Sequence, residues 1–358
     1  MKLKTIINHM ETAFAIRTRA IAAGTDNHIV FGYLGFPGVG KTAMILQAAK
    51  KLNAQVIEWA GNSLQSTDLM ATALGTEDWL VSQYNVNVPW EDIVHDERVV
   101  LFIDEATNMD EYMWKAMQKL IHQRTLGDKR LGPNVIIVLA GNRASDKAGS
   151  AVISSAVYNR VSWFDWVYDN DGFIEYLADR YEVPVLCAYL SLKPLGESDF
   201  TDALKMLGKS SFIQWASPRS VERLAMRMEF EHLKGGRLGM IEMAGDVGLG
   251  RAGEISGFFN KVDKLPSLTS IIKDPKNAKL PTEVDLQFAM IAMLLQAMNV
   301  DNFPSLAEFV QRMDVSIQVL FLKLANARKV DGKPTGIKTL VQYKNWIARD
   351  EIVDAITG

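Results

Sequence analysis

Residues 28–42 read His-Ile-Val-Phe-Gly-Tyr-Leu-Gly-Phe-Pro-Gly-Val-Gly-Lys-Thr, and this stretch decides the fold. An apolar run is followed by a glycine-rich turn, after which apolar residues recur at helical spacing from Ala43 to Leu52. This order predicts a strand, a loop and a helix. The loop, Gly35 to Thr42, satisfies the pattern G-x-x-x-x-G-K-[ST] between strand and helix, where a phosphate-binding loop requires it.

A loop of this kind binds phosphate mainly through its backbone. Glycines let successive N–H groups converge on the phosphate oxygens, and the N-terminus of the following helix adds a partial positive charge. We expect Lys41 to neutralise the β and γ phosphates of a nucleotide and the Thr42 hydroxyl to bind Mg²⁺. The loop residues expected to bind nucleotide are Gly35, Pro37, Gly38, Val39, Gly40, Lys41 and Thr42.

Three further apolar runs, residues 55–60, 99–103 and 135–140, are separated by stretches such as 111–123 that have helical spacing. Strands joined by helical connections predict an α/β fold with a parallel sheet that is covered on both faces. Ligands of such sheets bind beyond the carboxyl ends of the strands. The polar motifs of this sequence follow those ends.

Paired carboxylates follow the second of these runs. Asp104 and Glu105 come directly after it, 63 residues beyond Lys41. We expect Asp104 to bind nucleotide and to hold Mg²⁺ together with Thr42, and Glu105 to polarise the water that attacks the γ-phosphate.

Length, net charge and cysteine content limit the kinds of protein that this sequence can encode. The chain has 358 residues, which predicts two to three domains. Its formal net charge of −3 leaves no overall basic field, so contact with a nucleic acid would need a local patch. One cysteine, Cys187, cannot form a disulfide within the chain and is interpreted as a buried small apolar residue.

Three domains are predicted from the change in pattern along the chain. Residues 1–169 are expected to form the α/β nucleotide-binding core, residues 170–235 a helical lid, and residues 236–358 a helical C-terminal extension with a loop at 261–281. No export signal is visible, and the apolar run 286–298 is too short to span a membrane. We therefore expect no membrane contact and a cytoplasmic location.

With the loop, the Asp-Glu pair and Asn142, which ends a strand 38 residues after Asp104, the chain resembles an AAA+ ATPase. The resemblance implies that Asn142 orients the lytic water as the residue called sensor 1. It also implies that Arg160, in Asn159-Arg160-Val161, is an arginine finger that reaches the site of the neighbouring subunit. The usual Phe is replaced by Val161, and Arg143 is the nearest alternative finger.

Residues 216–220, Ala-Ser-Pro-Arg-Ser, resemble the sensor 2 signature of MoxR-type AAA+ ATPases. Ser217 is a predicted N-cap and Pro218 a predicted first helical residue, which places Arg219 in the first turn. The resemblance implies that Arg219 helps to close a helical lid onto the phosphates. Together, Glu105, Asn142, Arg160 and Arg219 are the expected catalytic residues.

Two weaker resemblances indicate which group of AAA+ ATPases the chain is most similar to. Ser66-Thr67-Asp68-Leu69 resembles the element before the MoxR insert, which implies that residues 75–89, with Trp79 and Tyr84, face a central pore, although no clear hairpin is visible there. A second likeness is to MoxR-like ATPases encoded by tailed phages and prophages. It rests on Ala140-Gly141-Asn142-Arg143, Asp146, Asn159-Arg160, Asp274-Pro275 and Leu280-Pro281.

The family resemblance implies an ATPase that uses ATP and Mg²⁺, assembles as a ring, expected to be a hexamer, and remodels a protein partner. A von Willebrand factor A-like protein is one such partner, and a phage-encoded chain would act in the host cytoplasm. ATP rather than GTP also follows from the resemblance alone.

Two alternatives stay open. A nucleic-acid motor or loader would use the same core and the basic stretch 321–346, which contains Lys329, Lys333 and Lys338 with Tyr343 and Trp346 nearby. A nucleotide-gated scaffold would bind ATP without appreciable turnover.

Overall fold

A computed structural model describes residues 1–63, 72–75, 80–83, 97–126, 129–143, 153, 155–196, 199, 214–262, 265–330 and 333–357. The chain divides into two compact units, Met1–Tyr168 and Asp169–Gly358. The further division of the second unit into a lid and an extension stays a prediction.

The first unit combines a parallel sheet with helices, as the sequence predicts. Its elements are α1 (Leu3–Ala22), β1 (Phe31–Leu34), α2 (Lys41–Lys51), β2 (Gln55–Ala60), β3 (Thr72–Gly75), β4 (Leu80–Gln83), β5 (Val99–Asp104), α3 (Glu111–Gln123), β6 (Thr125–Leu126), β7 (Lys129–Arg130), β8 (Val135–Gly141), α4 (Ser155–Tyr158) and β9 (Ser162–Asp165). A short 3₁₀ turn, Ala106–Asn108, follows β5.

The main sheet has the strand order β2-β5-β8-β1-β9, and all its neighbouring pairs are parallel. Phe31 of β1 lies beside Val138 of β8 and Ser162 of β9. Because the strands are parallel, the residues after β1, β5 and β8 meet at one edge of the sheet.

The central strands β5 and β8 are apolar up to their carboxyl ends because both faces of the sheet are covered. Residues 99–103 of β5 have no exposed surface, and every residue of β8 is buried. Helix α3 packs its buried Met113, Met117 and Leu120 into the same core. It begins at the N-cap Asp110, whose side chain accepts a hydrogen bond from the Met113 N–H.

The hairpin of β3 and β4 was not expected from the sequence. Strands β3 and β4 pair antiparallel, with Thr72 beside Gln83 and Gly75 beside Leu80. Each strand has only four residues, so alternation of apolar and polar residues gives little signal over that length. The residues predicted to face a pore, Trp79 and Tyr84, lie outside the described residues, as do 66–69 and Asp146.

The second unit is mostly helical. Its elements are α5 (Asn170–Arg180), α6 (Pro184–Leu192), α7 (Pro218–Leu233), α8 (Met240–Val247), α9 (Leu249–Val262), α10 (Leu268–Lys273), α11 (Val284–Ala297), α12 (Phe303–Val310), α13 (Val315–Ala327), β10 (Lys329–Val330), β11 (Lys333–Pro334), α14 (Val341–Ile347) and α15 (Asp350–Thr357). Helix α10 lies inside the stretch 261–281 that the sequence predicts as a loop.

The most apolar part of the sequence forms α11, a buried helix of 14 residues, as predicted. Cys187 of α6 is also buried, and burial raises the pKa of its thiol to about 12. Within the described parts of the chain, no helix is long and apolar enough to cross a membrane.

Candidate nucleotide-binding site

The phosphate-binding loop lies between β1 and α2. Gly38 and Gly40 have φ angles of 78° and 91°, in the left-handed region that glycine adopts without a steric penalty. Gly35 is needed for a different reason, since a Cβ there would lie 2.5 Å from the Cβ of Trp166. The glycines of the motif therefore serve the backbone geometry of the loop.

The Lys41 ammonium is held inside this loop. Lys41 is buried, and its Nζ donates hydrogen bonds to the carbonyl oxygens of Gly35 at 2.7 Å and Phe36 at 2.9 Å. A third bond, of 3.1 Å, goes to Oδ1 of Asn142 at the end of β8. Two predicted site residues that lie 101 positions apart are thus brought into contact.

Thr42 and Asp104 also meet, as a shared metal site requires. The Thr42 hydroxyl donates to Asp104 Oδ2 at 2.5 Å. The other carboxylate oxygen of Asp104 accepts the backbone N–H of Glu105 at 2.8 Å. Hydroxyl and carboxylate oxygens are ligands that Mg²⁺ favours, so this pair fits the predicted metal.

The start of α2 fits an anion. Among the residues described there, no side chain caps the helix and no acidic residue lies in its first turn. Its partial positive charge is therefore directed at the loop without a competing carboxylate from that turn. In the loop itself Pro37 is half-buried and Val39 is buried.

Glu105 lies in a strained turn. Its φ and ψ angles are 50° and 32°, a left-handed conformation that is rare for a residue with a side chain. The end of β2 holds this turn, because the Gly61 N–H donates to the Asp104 carbonyl at 2.7 Å. A Cβ at Gly61 would lie 2.8 Å from the Glu105 carbonyl oxygen, so a glycine is needed for the close approach.

Two polar residues near the site were missed at the sequence level. Glu58 is exposed in β2, but the partial loss of its water, followed by repulsion from Asp104, raises the pKa of its carboxyl. Thr107 accepts the backbone N–H of Asn142 at 2.9 Å. The effect of Asp104 on Glu58 depends on the register of β2 and β5, in which Ala60 lies beside Asp104, and no local pattern reveals that register.

Arg160 is exposed in the first unit. Its guanidinium donates to the carbonyl of Ala156, one turn earlier, at 2.5 Å. The alternative finger, Arg143, is bound within its own unit: its Nε donates to Asp165 at 3.1 Å and its guanidinium lies 5.6 Å from the centre of the Phe36 ring. Of the two arginines, Arg160 has the more exposed side chain.

Arg219 belongs to the second unit and is exposed near the start of α7. The predicted cap is confirmed: Ser217 Oγ accepts the Ser220 N–H at 3.2 Å, and Ser220 Oγ accepts the Ser217 N–H at 2.9 Å. Pro218 is the first residue of the helix. Arg219 therefore lies in the first turn, and its role toward a nucleotide stays a prediction.

The basic stretch 321–346 differs from the expectation of a patch that combines basic and aromatic side chains. Tyr343 and Trp346 are buried at 6% and 0% exposure, so neither presents a face for a base to stack on. Arg328 is buried as well, and Lys329 pairs with Asp179 at 2.9 Å. The lysines that remain exposed there are Lys333, Lys338 and Lys344.

Solved structures similar to this chain include two of RuvB from Thermotoga maritima. A point mutant of that protein, in which a proline is replaced by glycine, is 17% identical over 77% of each chain, with a TM-score of 0.38. The form described as a Holliday junction branch migration motor is 17% identical over 76% of each chain, with a TM-score of 0.37. No curated protein matches the sequence.

Residues 32–164 match the family model described as ATPase family associated with various cellular activities (AAA). The match begins in β1 and ends in β9, so it spans the phosphate-binding loop, the Asp104–Glu105 turn, Asn142 and Arg160. The chain therefore contains an AAA ATPase domain, whose parallel sheet and phosphate-binding loop are those of a P-loop ATP hydrolase.

Proposed function

We propose that this chain is a MoxR-like AAA+ ATPase that assembles into a hexameric ring and couples hydrolysis of Mg-ATP to remodelling of a protein partner. Two contacts among the predicted site residues, together with an exposed arginine in the same unit, support the proposal. Lys41 contacts Asn142, and Thr42 contacts Asp104, while Arg160 points its charge to the surface of the same domain.

Each residue then has a distinct task. Lys41 and the backbone N–H groups at the start of α2 bind the phosphates, and Thr42 and Asp104 bind Mg²⁺. Glu105 orients and polarises the attacking water, and Asn142 fixes the position of that water from the end of β8. Mg-ATP, when bound, supplies the γ-phosphoryl group that the water attacks.

Arg160 supplies the argument for a ring. In the described residues no carboxylate pairs with it, and its guanidinium donates to the carbonyl of Ala156 in α4, the helix that precedes it. An exposed guanidinium of this kind can stabilise the charge on a γ-phosphate bound to a neighbouring subunit. Such a finger is worth ~10³ to 10⁵ in rate, so an isolated subunit should hydrolyse ATP slowly.

Subunit mixing tests this arrangement. Arg160→Ala subunits keep an intact site and lose the finger, whereas Lys41→Ala subunits lose the site and keep the finger. We expect each variant alone to be inactive and their mixture to recover part of the wild-type ATPase rate. Recovery requires that an intact finger of one subunit serve an intact site of another.

The matched control is Arg143→Ala mixed with Lys41→Ala, which should not show rescue of this kind because Arg143 is held within its own unit by Asp165. Turnover that is unchanged in Arg160→Ala alone would refute the finger. The mass of the assembly, measured with nucleotide present, gives the number of subunits in the ring.

A protein is the favoured partner. The net charge of −3 gives no field that attracts a polyanion, and burial of Tyr343, Trp346 and Arg328 removes much of the basic, aromatic patch that nucleic-acid binding would use. The resemblance to the MoxR group suggests a von Willebrand factor A-like adaptor, and the likeness to phage proteins suggests action in a host cytoplasm.

A Glu105→Gln variant tests whether the partner is a protein or a nucleic acid. The variant should bind ATP without hydrolysing it and should therefore stay in the ATP-bound state. We expect protein to co-purify with it in the presence of Mg-ATP and to be released when the nucleotide is removed. Capture of DNA or RNA, with binding that weakens steeply as salt is raised, would favour the nucleic-acid motor instead.

A further inference from the structure

Two hydrolytic residues of the proposed site come from neighbouring strands whose pairing stops just before them. The β5–β8 ladder ends with Ile103 beside Leu139. Beyond that pair, β5 leads into the turn that carries Glu105, and β8 ends at Gly141, directly before Asn142. The β5–β8 ladder therefore does not itself connect these two segments to each other.

Thr107 makes that connection. It lies in the 3₁₀ turn two residues after Glu105, is 3% exposed, and its Oγ1 accepts the Asn142 N–H at 2.9 Å. The turn is closed by the Asn108 N–H, which donates to the Glu105 carbonyl at 2.8 Å. Movement of Thr107 would thus be transmitted both to Glu105 and to Asn142.

The packing around Thr107 keeps its oxygen in place. A Cβ at Gly141 would lie 2.5 Å from Thr107 Cγ2 and 2.7 Å from its Oγ1, so the threonine rests directly against the β8 backbone. A β-branched side chain is also stiff about its first torsion. The side chain of Asn142 in turn accepts a hydrogen bond from Lys41 at 3.1 Å.

We propose that Thr107 is a positioning residue for ATP hydrolysis, which holds Asn142 in register with Glu105 through its hydroxyl oxygen. The inference rests on the function proposed for Asn142 and adds a residue that the sequence motifs do not contain. Misplacement of a reacting group by about 1 Å can cost ~10²-fold in rate. The hydroxyl should therefore affect turnover and not nucleotide affinity.

Three substitutions separate the hydrogen bond from packing. Thr107→Val keeps the volume and removes the oxygen, Thr107→Ala removes both, and Thr107→Ser keeps the oxygen and removes a methyl group. We expect kcat to fall by about tenfold or more in the Val and Ala variants and to stay near the wild-type value in Ser, with KM for ATP unchanged within about twofold.

Thr125→Val is the matched control. Its Oγ1 is also buried in the first unit, but it has no hydrogen-bond partner in the described part of the chain. Loss of that hydroxyl should leave kcat unchanged. Thermal unfolding of every variant, with and without nucleotide, identifies any variant that does not fold. If Thr107→Val does not fold, comparison of kcat between Thr107→Ala and Thr107→Ser still tests whether the hydroxyl is needed.

An order of activity that follows size, with Val near wild type and Ser as low as Ala, would overturn the proposal, as would a loss confined to KM. Asn142→Ala distinguishes failure of the role proposed for Asn142 from failure of the role proposed for Thr107. If it leaves kcat unchanged, the role proposed for Asn142 fails and Thr107 fails with it. If it lowers kcat while Thr107→Val does not, only the inference about Thr107 is wrong.

Discussion

Burial changes the acid–base behaviour of His9 on α1. Its ring stacks on Phe31 and packs against Phe164, with centroids 4.8 Å and 4.4 Å apart, and its Nδ1 lies 3.0 Å from the Tyr33 hydroxyl. This burial lowers the pKa of His9 from 6.5, because the charged ring would lose its water. The folded chain therefore favours neutral His9.

The lowered pKa of His9 makes the stability of the folded chain depend on pH. Below pH about 6.5 the unfolded chain binds a proton at His9 that the folded chain resists, so the free energy of unfolding should fall as the pH is lowered from about 7.5 to about 5.5. In urea unfolding, His9→Gln should reduce this dependence on pH. The control is His122→Gln, at an exposed position of α3, which should leave the dependence unchanged.

Among the site residues, the sequence was most informative where the constraint is local. The glycines and Lys41 belong to one contiguous loop, and their spacing alone predicts the positions that the backbone needs. Thr107 was not predicted because its contact with Asn142 joins residues 35 positions apart. A buried hydroxyl that accepts a backbone N–H leaves no periodic signal in the sequence.

At the scale of an element, the start of α7 depends on its capping box. Ser217→Ala removes the acceptor for the Ser220 N–H, and we expect a loss of about 1 kcal/mol in the free energy of unfolding. Thermal unfolding measures it. Ser191→Ala is the control and should cost little, since among the residues that the structure describes that hydroxyl donates back to the Cys187 carbonyl of its own helix. Equal losses in both variants would contradict the role of the cap.

Helices and strands differ in how well the sequence predicts them here. The limits predicted for α3, residues 111–123, and the start predicted for α7 at Pro218 are confirmed, because each helix begins at a strong cap. Buried strands such as β5 are recognised as continuous apolar runs. The short pairs β3–β4 and β10–β11 were not predicted, because two to four residues cannot show alternation.

At the scale of the whole molecule, a buried arginine fixes the second unit. Arg328 donates to the carbonyls of Leu295, Gln296 and Met298 and to the carboxylate of Glu182, 146 residues away in the sequence. In the sequence, Arg328 belongs to the basic stretch 321–346, which a nucleic-acid motor would need to expose. Its burial could not be foreseen, since the partners lie on α11 and ahead of α6.

Removal of this arginine should destabilise the second unit strongly. Arg328→Met leaves the partly buried Glu182 without this partner and removes the donor to three carbonyl groups, and loss of one member of a largely buried ion pair costs about 3 kcal/mol or more. Cys187 reports the effect, because it is the one cysteine in the sequence and its thiol is buried with a raised pKa.

We expect alkylation of Cys187 to be slow in the wild type and about a hundredfold faster in Arg328→Met, since about 1.4 kcal/mol corresponds to a factor of ten. Lys338→Met, at an exposed position, should label at the wild-type rate. If labelling is equally slow in Arg328→Met, the arginine is not needed for the stability of this unit.

The strand order also has a consequence for how the protein is made. Strand β1, which leads into the phosphate-binding loop, has as its neighbours β8 and β9, more than a hundred residues later in the chain. During synthesis the loop therefore leaves the ribosome long before the strands that flank it. Contacts so distant in sequence slow folding, because a long loop must close before they form. A nascent chain that stops short of residue 162 should be unable to complete the central sheet or a stable nucleotide site.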